Sequence, residues 1–216
     1  MVAAPSLAEA TEVVPRLNNG DRLNRFEFAR RYEADPDVTR AELIEGIVYV
    51  SSSVSLTHHA EPHGDIVTWL GVFAASTTGR VRMGDNATVR LDIDNDVQPD
   101  ALLRYVEGGT SRLVGKYLHG APELVVEVSA SSASIDTNSK KNVYRRNGVQ
   151  EYIVWRTEDG ELDWFELKEG EYVALVPDAN GILSSRVFPG LRLDVAKLLA
   201  GDLKGVLAEQ MRVSAE

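Results

Sequence analysis

The run Leu124-Val125-Val126-Glu127-Val128 is almost continuously apolar, with one carboxylate inside it. Its length and β-branched content predict a central strand covered on both faces. A glutamate placed there must leave the core or be compensated, because an unpaired buried carboxylate is costly. Upstream, Pro99-Asp100 heads a second strand-like run that ends at Val106, and downstream Lys140 lies on a predicted helix. Two carboxylates on neighbouring strands plus a lysine are the parts needed to hold a hard divalent cation and hydrolyse a phosphodiester. The plainer alternatives are a solvated edge-strand glutamate for Glu127 and a turn aspartate for Asp100.

Working outward, a chain of 216 residues has room for one sizeable core. We expect a flexible segment over 1–20, neither signal peptide nor anchor, and a single domain over 21–216. Its core would span 41–156, followed by a β-meander and terminal helix over 157–211. No apolar stretch is long enough to span a bilayer, so no membrane partner is expected. The absence of cysteine removes disulfide scaffolds, zinc knuckles and thiol nucleophiles, and suits a cytoplasmic location.

The net charge of -10 argues against sequence-independent wrapping of nucleic acid, which depends on many lysines and arginines. It is compatible with a cation site, which must itself be built from carboxylates. Arg112, Lys116, Lys140, Lys141, Arg145 and Arg146 form the basic excess of the chain; on charge alone they read as a solvated helix face.

Periodicity predicts a short amphipathic helix over Arg22 to Tyr32 and one strand bent at Gly46 over Ala41 to Val50. A helix starts at Pro62 and ends before Gly79. Strands follow over Arg80 to Met83, Ala87 to Ile93 and Asp100 to Val106, then a surface loop over Glu107 to Gly120. A helix from Thr137 to Asn147 stops at Gly148, and Tyr152 to Trp155 is another buried strand. Asp159-Gly160, Glu169-Gly170 and Asn180-Gly181 mark the turns of a meander. Leu198, Leu199, Leu203, Val206 and Leu207 fall on one helical side, as a docked helix pair or a dimer face.

On the helix after Glu127, helical spacing sets Asp136 and Tyr144 one turn either side of Lys140. Asp136 also suits an N-cap, and Tyr144 suits packing on the sheet. His58, His59 and His63 with Glu61 suggest a separate transition-metal site or an ordinary histidine cluster. Gly115-Lys116 lacks the spacing of a phosphate loop, and Ser129 to Ser134 lacks the glycines of a hydrolase elbow, so the latter is a polar loop.

Taken in order, three stretches resemble the Uma family of restriction endonucleases in the PD-(D/E)XK nuclease-like superfamily. They are Gln98-Pro99-Asp100, then Gly120-Ala121-Pro122-Glu123-Leu124-Val125-Val126-Glu127-Val128, and finally Asp136 with Lys140, Tyr144, Gly148-Val149, Glu151-Tyr152 and Val154. The resemblance runs from about Ala41 to Trp155. It implies that Asp100 and Glu127 are metal carboxylates. The superfamily's lysine normally stands two residues after the glutamate, where this chain has Ser129; in the Uma pattern it lies on the following helix, at Lys140. Glu42, in Glu42-Leu43-Ile44-Glu45-Gly46, resembles the family's upstream acid, with Glu45 as runner-up. His63, in His63-Gly64-Asp65-Ile66-Val67, resembles the histidine that opens its next helix.

The fold this implies is an α/β, restriction-endonuclease-like mixed curved sheet flanked by helices, with a C-terminal β-hairpin extension. The expected function is metal-dependent endonucleolytic hydrolysis of nucleic acid, DNA being the expected substrate. Mg²⁺ or Mn²⁺ would be held by Asp100, Glu127 and Glu42, with Lys140 acting on the phosphate or the water and Tyr144 and His63 in support. The competing reading is a catalytically silent nucleic-acid-binding or dimerising interaction protein of the same fold, and a homodimer is allowed for.

Overall fold

The computed structural model describes residues 13–51, 55–130 and 132–212. Parts of four expectations lie outside the described residues: 1–12 of the N-terminal segment, 52–54 of the loop after Val50, 131 of the serine-rich tract, and 213–216 of the domain. Within 13–20 the chain is docked, since Leu17 is buried and Gly20 N donates to Val48 O at 2.8 Å.

The described chain opens with α1 (Arg25–Ala34), capped by the Asn24 side chain, which accepts from Glu27 N. The stretch expected as one bent strand is a hairpin of β1 (Ala41–Ile44) and β2 (Ile47–Val50). Glu45 and Gly46 both have positive φ (53° and 73°), so the chain reverses at Gly46 instead of bending. A π turn (Leu56–Ala60) leads directly into α2 (Glu61–Ser76). Helical backbone therefore starts before Pro62, which falls at the junction of the π turn and α2, where the His58 carbonyl accepts from the Thr157 hydroxyl at 2.6 Å.

Next come β3 (Val81–Asp85), β4 (Val89–Asp92), β5 (Asn95–Val97) and β6 (Ala101–Tyr105). The expected surface loop contains a second hairpin, β7 (Arg112–Val114) and β8 (Tyr117–His119), turning at Gly115. Its strands are three residues long and β7 is exposed, which leaves little alternation to read. β9 (Leu124–Ser129) is buried throughout. It is followed by α3 (Ala133–Ile135), a π turn (Asp136–Lys140) and α4 (Lys141–Asn147), which ends at Gly148 in the left-handed region (φ 84°). β10 (Glu151–Arg156) then lies parallel to β9, as this helical crossover allows. β11 (Glu161–Lys168), β12 (Glu171–Ala174), β13 (Ile182–Ser184), β14 (Arg192–Asp194), α5 (Val195–Leu199) and α6 (Leu203–Arg212) complete the order.

The strands form two six-stranded mixed sheets and one small hairpin. The first sheet runs β2-β1-β5-β4-β8-β7, the second β12-β11-β10-β9-β6-β3, and β13 pairs with β14. Ile44, Val89 and Val97 of the first sheet pack with Val125, Tyr152 and Val154 of the second and Val143 of α4. The outer face of the second sheet buries Ile66, Trp69 and Phe73 of α2 with Leu198 and Val206 of the terminal helices. The outer face of the first sheet buries Leu43 against Phe28 of α1. The terminal helices thus turn Leu198 and Val206 inward, while Leu199 and Met211 are exposed.

Gln98-Pro99-Asp100 is the corner where the chain leaves the first sheet after β5 and enters the second at β6. A proline has no donor to give a ladder, so it fits such a corner.

Candidate active site

The corner brings both sheets to one point. β6 and β9 are antiparallel with Ala101 opposite Val126, which sets Asp100 beside Glu127 on one face. Asp100 Oδ2 accepts from Val128 N at 2.8 Å, and Oδ1 accepts from Arg40 at 3.0 Å. Glu42 arrives from β1 of the other sheet. Its Oε1 accepts from Gln98 N at 2.6 Å, so the backbone of the corner itself orients this carboxylate.

Lys140 sits at the end of the π turn with its Nζ 2.9 Å from Glu42 Oε2, 3.0 Å from Glu127 Oε1 and 3.6 Å from Asp136 Oδ1. Tyr144 Oη donates to the same Glu127 Oε1 at 2.6 Å. Asp136 is inside the helical stretch and buried, not an N-cap; Ser129 and Ser132 hydroxyls donate to its Oδ2 at 2.7 and 2.5 Å. The π turn widens the helix at 136–140, the segment that carries both Asp136 and Lys140.

Burial drives the Glu127 carboxyl well above the usual range; Lys140 opposes this, while Asp136, Asp100 and Glu42 add to it. Burial works against the Lys140 charge, yet Glu127, Glu42 and the two aspartates outweigh it and hold the ammonium protonated. Burial, then the neighbouring Glu127, pushes the Tyr144 phenol up, so it stays a donor. A cavity of about 610 Å³ opens onto Glu42, Glu127, Asp136, Lys140, Arg40 and His59.

Asp100, Glu127, Lys140, Glu42 and Tyr144 therefore meet at one place. His63 is on its margin: Nε2 lies 2.9 Å from the Asp100 carbonyl oxygen and 3.0 Å from Asp85 Oδ1. Glu45 points away, paired with Arg146 at 2.8 Å. The histidine nearest the Asp100 carboxylate is His59, whose Nδ1 donates to Val128 O at 2.8 Å while Nε2 faces Asp100 Oδ1 at 3.5 Å. His59 and His63 share a face, with ring centroids 5.8 Å apart, because the π turn that carries His59 runs without a break into α2, which carries His63. Sequence reasoning missed Arg40 and the position of His59. Arg40 stands two residues before Glu42, the period that returns a strand residue to the same face, and that was the available signal. Among the described residues, no three His, Cys, Asp or Glu side chains form a ready metal-ligand cluster.

Two mixed sheets flanked by helices, with buried acids and one lysine at the corner between them, define a protein of the restriction-endonuclease-like class. A family model described as "Putative restriction endonuclease" matches residues 26–196, and the chain belongs to that family, Uma2. A crystal structure described as "a putative nuclease belonging to DUF820", from Anabaena variabilis, is similar in fold, with a TM-score of 0.60 and 15% identity. The match covers 79% of this chain and 96% of that one. No curated protein matches the chain. No helix among the described residues is long and apolar enough to cross a membrane.

Proposed function

We propose that this chain is a metal-dependent endonuclease acting on DNA, with Mg²⁺ or Mn²⁺ held chiefly by Asp100 and Glu127. The observation that carries the reading is the Lys140 ammonium lodged between Glu42 and Glu127, with Asp100 beside Glu127. The donor set fits a hard cation. Glu42, Asp100, Glu127 and Asp136 are met by the two fixed cations Lys140 and Arg40, with the His59 imidazole 3.5 Å from Asp100, so with all four acids ionised the carboxylates outnumber the fixed positive charges. A divalent ion would offset that excess, taking oxygens of Asp100 and Glu127 and keeping several waters, as Mg²⁺ does. When bound, it supplies Lewis acidity to the phosphate and lowers the pKa of a coordinated water.

The protein's own groups divide the remaining work. Arg40 and Val128 N hold the Asp100 carboxylate, and Tyr144 holds Glu127. Lys140 keeps its charge in a buried setting where a fixed cation stabilises developing phosphate charge far more than in water. Glu42, anchored on the corner backbone, keeps the ammonium in place between the sheets.

The test is digestion of supercoiled plasmid with Mn²⁺ or Mg²⁺ and with chelator, using the parent and Lys140→Ala. Cutting by the parent alone, abolished by chelator, is the expected result; equal cutting by both proteins would overturn it. A homodimer through the terminal helices would draw on their exposed side, Leu199 and Met211, since Val206 and Leu198 are used internally.

A further inference from the structure

The β4-β8-β7 half of the first sheet carries a second group of ionisable side chains that the proposed reaction does not use. Strand register places them in one row, with Asp96 opposite Arg90, Arg90 beside His119, and His119 opposite Arg112. Paired residues project to the same face of a sheet. That face is the α1 side, because Leu43, the partner of Asp96, is buried with Phe28. Glu42, one residue earlier, turns the other way toward Lys140. Arg25, the first residue of α1, is tied to this sheet by its backbone N, which donates to Ile93 O at 2.8 Å. Arg25, Arg90, Arg112 and His119 line a cavity of about 380 Å³ together with Thr110 and Gly120.

The charge balance of the cavity is positive, although the chain carries -10 overall. Arg25 and Arg112 have no carboxylate partner among the described residues. Arg90 Nε lies 3.4 Å from Asp96, outside hydrogen-bond geometry, and its guanidinium is 4.0 Å from the centre of the Tyr117 ring. Burial pushes the Asp96 carboxyl up to about 7 against the pull of Arg90 and Arg25, so it is only partly ionised at neutral pH. Asp92, also at the cavity, has its carboxylate taken by Asn95 at 2.6 Å and Asn147 at 2.8 Å. Burial and then Arg90, Arg25 and Arg112 depress His119, in keeping with the register that pairs it with Arg90 and with Arg112.

We propose that this cavity binds a phosphate group through Arg25, Arg90 and Arg112, on the sheet face opposite the acid–lysine site. A guanidinium fork matches phosphate oxygens two at a time, and Tyr117 holds the Arg90 fork by stacking. The phosphate comes from a nucleic-acid backbone away from the scissile bond or from a small phosphate compound. Only the first source rests on the nuclease reading.

The experiment follows the His119 imidazole by NMR while inorganic phosphate is titrated into the full chain at constant ionic strength. Duplex DNA affinity is then measured against salt in Ca²⁺. Arg90 is left intact, since its removal would strand buried Asp96; Arg112→Gln and Arg25→Gln are the test variants and Lys168→Gln the control. The expected result is a saturable His119 shift in the parent and control, weakened in both arginine variants. A DNA salt slope reduced by about one in Arg112→Gln assigns the phosphate to a nucleic-acid backbone. A retained slope with a lost phosphate shift assigns it to a small phosphate compound, and the site stands. No His119 shift in the parent, or a shift in both arginine variants as strong as the parent's, overturns the proposal. A parent that binds phosphate here but never cuts DNA would remove the nuclease reading alone.

Discussion

Lys140 Nζ lies 3.0 Å from Glu127 Oε1 although the two residues are thirteen apart on different elements, and the same ammonium reaches Glu42 of the other sheet at 2.9 Å. One side chain thus ties both sheets to the crossover helix. Its removal has consequences for stability as well as for chemistry.

Lys140→Ala should lose on the order of a hundredfold or more in turnover, by analogy with other electrostatic stabilisers. It should also lose about 3–5 kcal/mol of stability, because two buried carboxylates lose their cation. Mn²⁺ should then raise the melting temperature of the variant more than that of the parent. Calorimetric scans with and without Mn²⁺ check this, and equal increments would contradict a shared site for cation and lysine.

Asp100→Asn and Glu127→Gln should each weaken Mn²⁺ binding on the order of tenfold or more. Titration calorimetry on the two variants measures it. Unchanged affinity in both would place the cation elsewhere.

Tyr144→Phe removes only the hydroxyl that donates to Glu127 at 2.6 Å. A lost hydrogen bond to a charged group predicts about 1.5–3 kcal/mol of destabilisation in urea. Turnover should fall less than in Lys140→Ala, because the ammonium remains. A variant as stable as the parent would show that the bond contributes nothing net.

Asp96 supplies the pH prediction. Its folded-state carboxyl is pushed up by burial to about 7 from an ordinary value of 3.8. A raised folded-state value means its contribution to stability is complete below about pH 4 and is lost as pH rises through 7. The loss is about 4 kcal/mol at most. Asp96→Asn should flatten the stability profile across that window, as read from denaturant midpoints. Parallel profiles for parent and variant would refute the assignment.

Much of the candidate site was legible because its residues sit where local rules are strict. Glu127 stands alone in an apolar run, and burial makes any such carboxylate conspicuous. Helical spacing alone set Asp136, Lys140 and Tyr144 on one face, and Gly148 ended their helix in the left-handed region where a glycine fits. Asp136 nevertheless proved to be a buried helix residue held by two serines, since whether an acid caps or is enclosed depends on what packs over it.

The reversal at Gly46, the small hairpin of β7 and β8, and the strand β5 were not visible in the periodicity. Each is only three or four residues long, too short for a repeating pattern to outweigh chance. Arg40, and the place of His59 beside Asp100, were missed for a different reason. Their partners, Asp100 and Val128 O, lie 60 and 69 residues away, a distance no local pattern spans.

The amino-acid order by itself therefore determined the chemical types, the central apolar strand with its lone glutamate and the helix behind it, because those follow from burial cost and from periods of two and 3.6 residues; the acid–lysine set as a whole was read from the family resemblance. Only the tertiary structure decided that the strands split into two sheets. It also decided that Gln98-Pro99-Asp100 is the corner between them and that one lysine serves acids from both. The reason is physical: a local period says which face a side chain takes, whereas pairing between distant strands decides what that face meets.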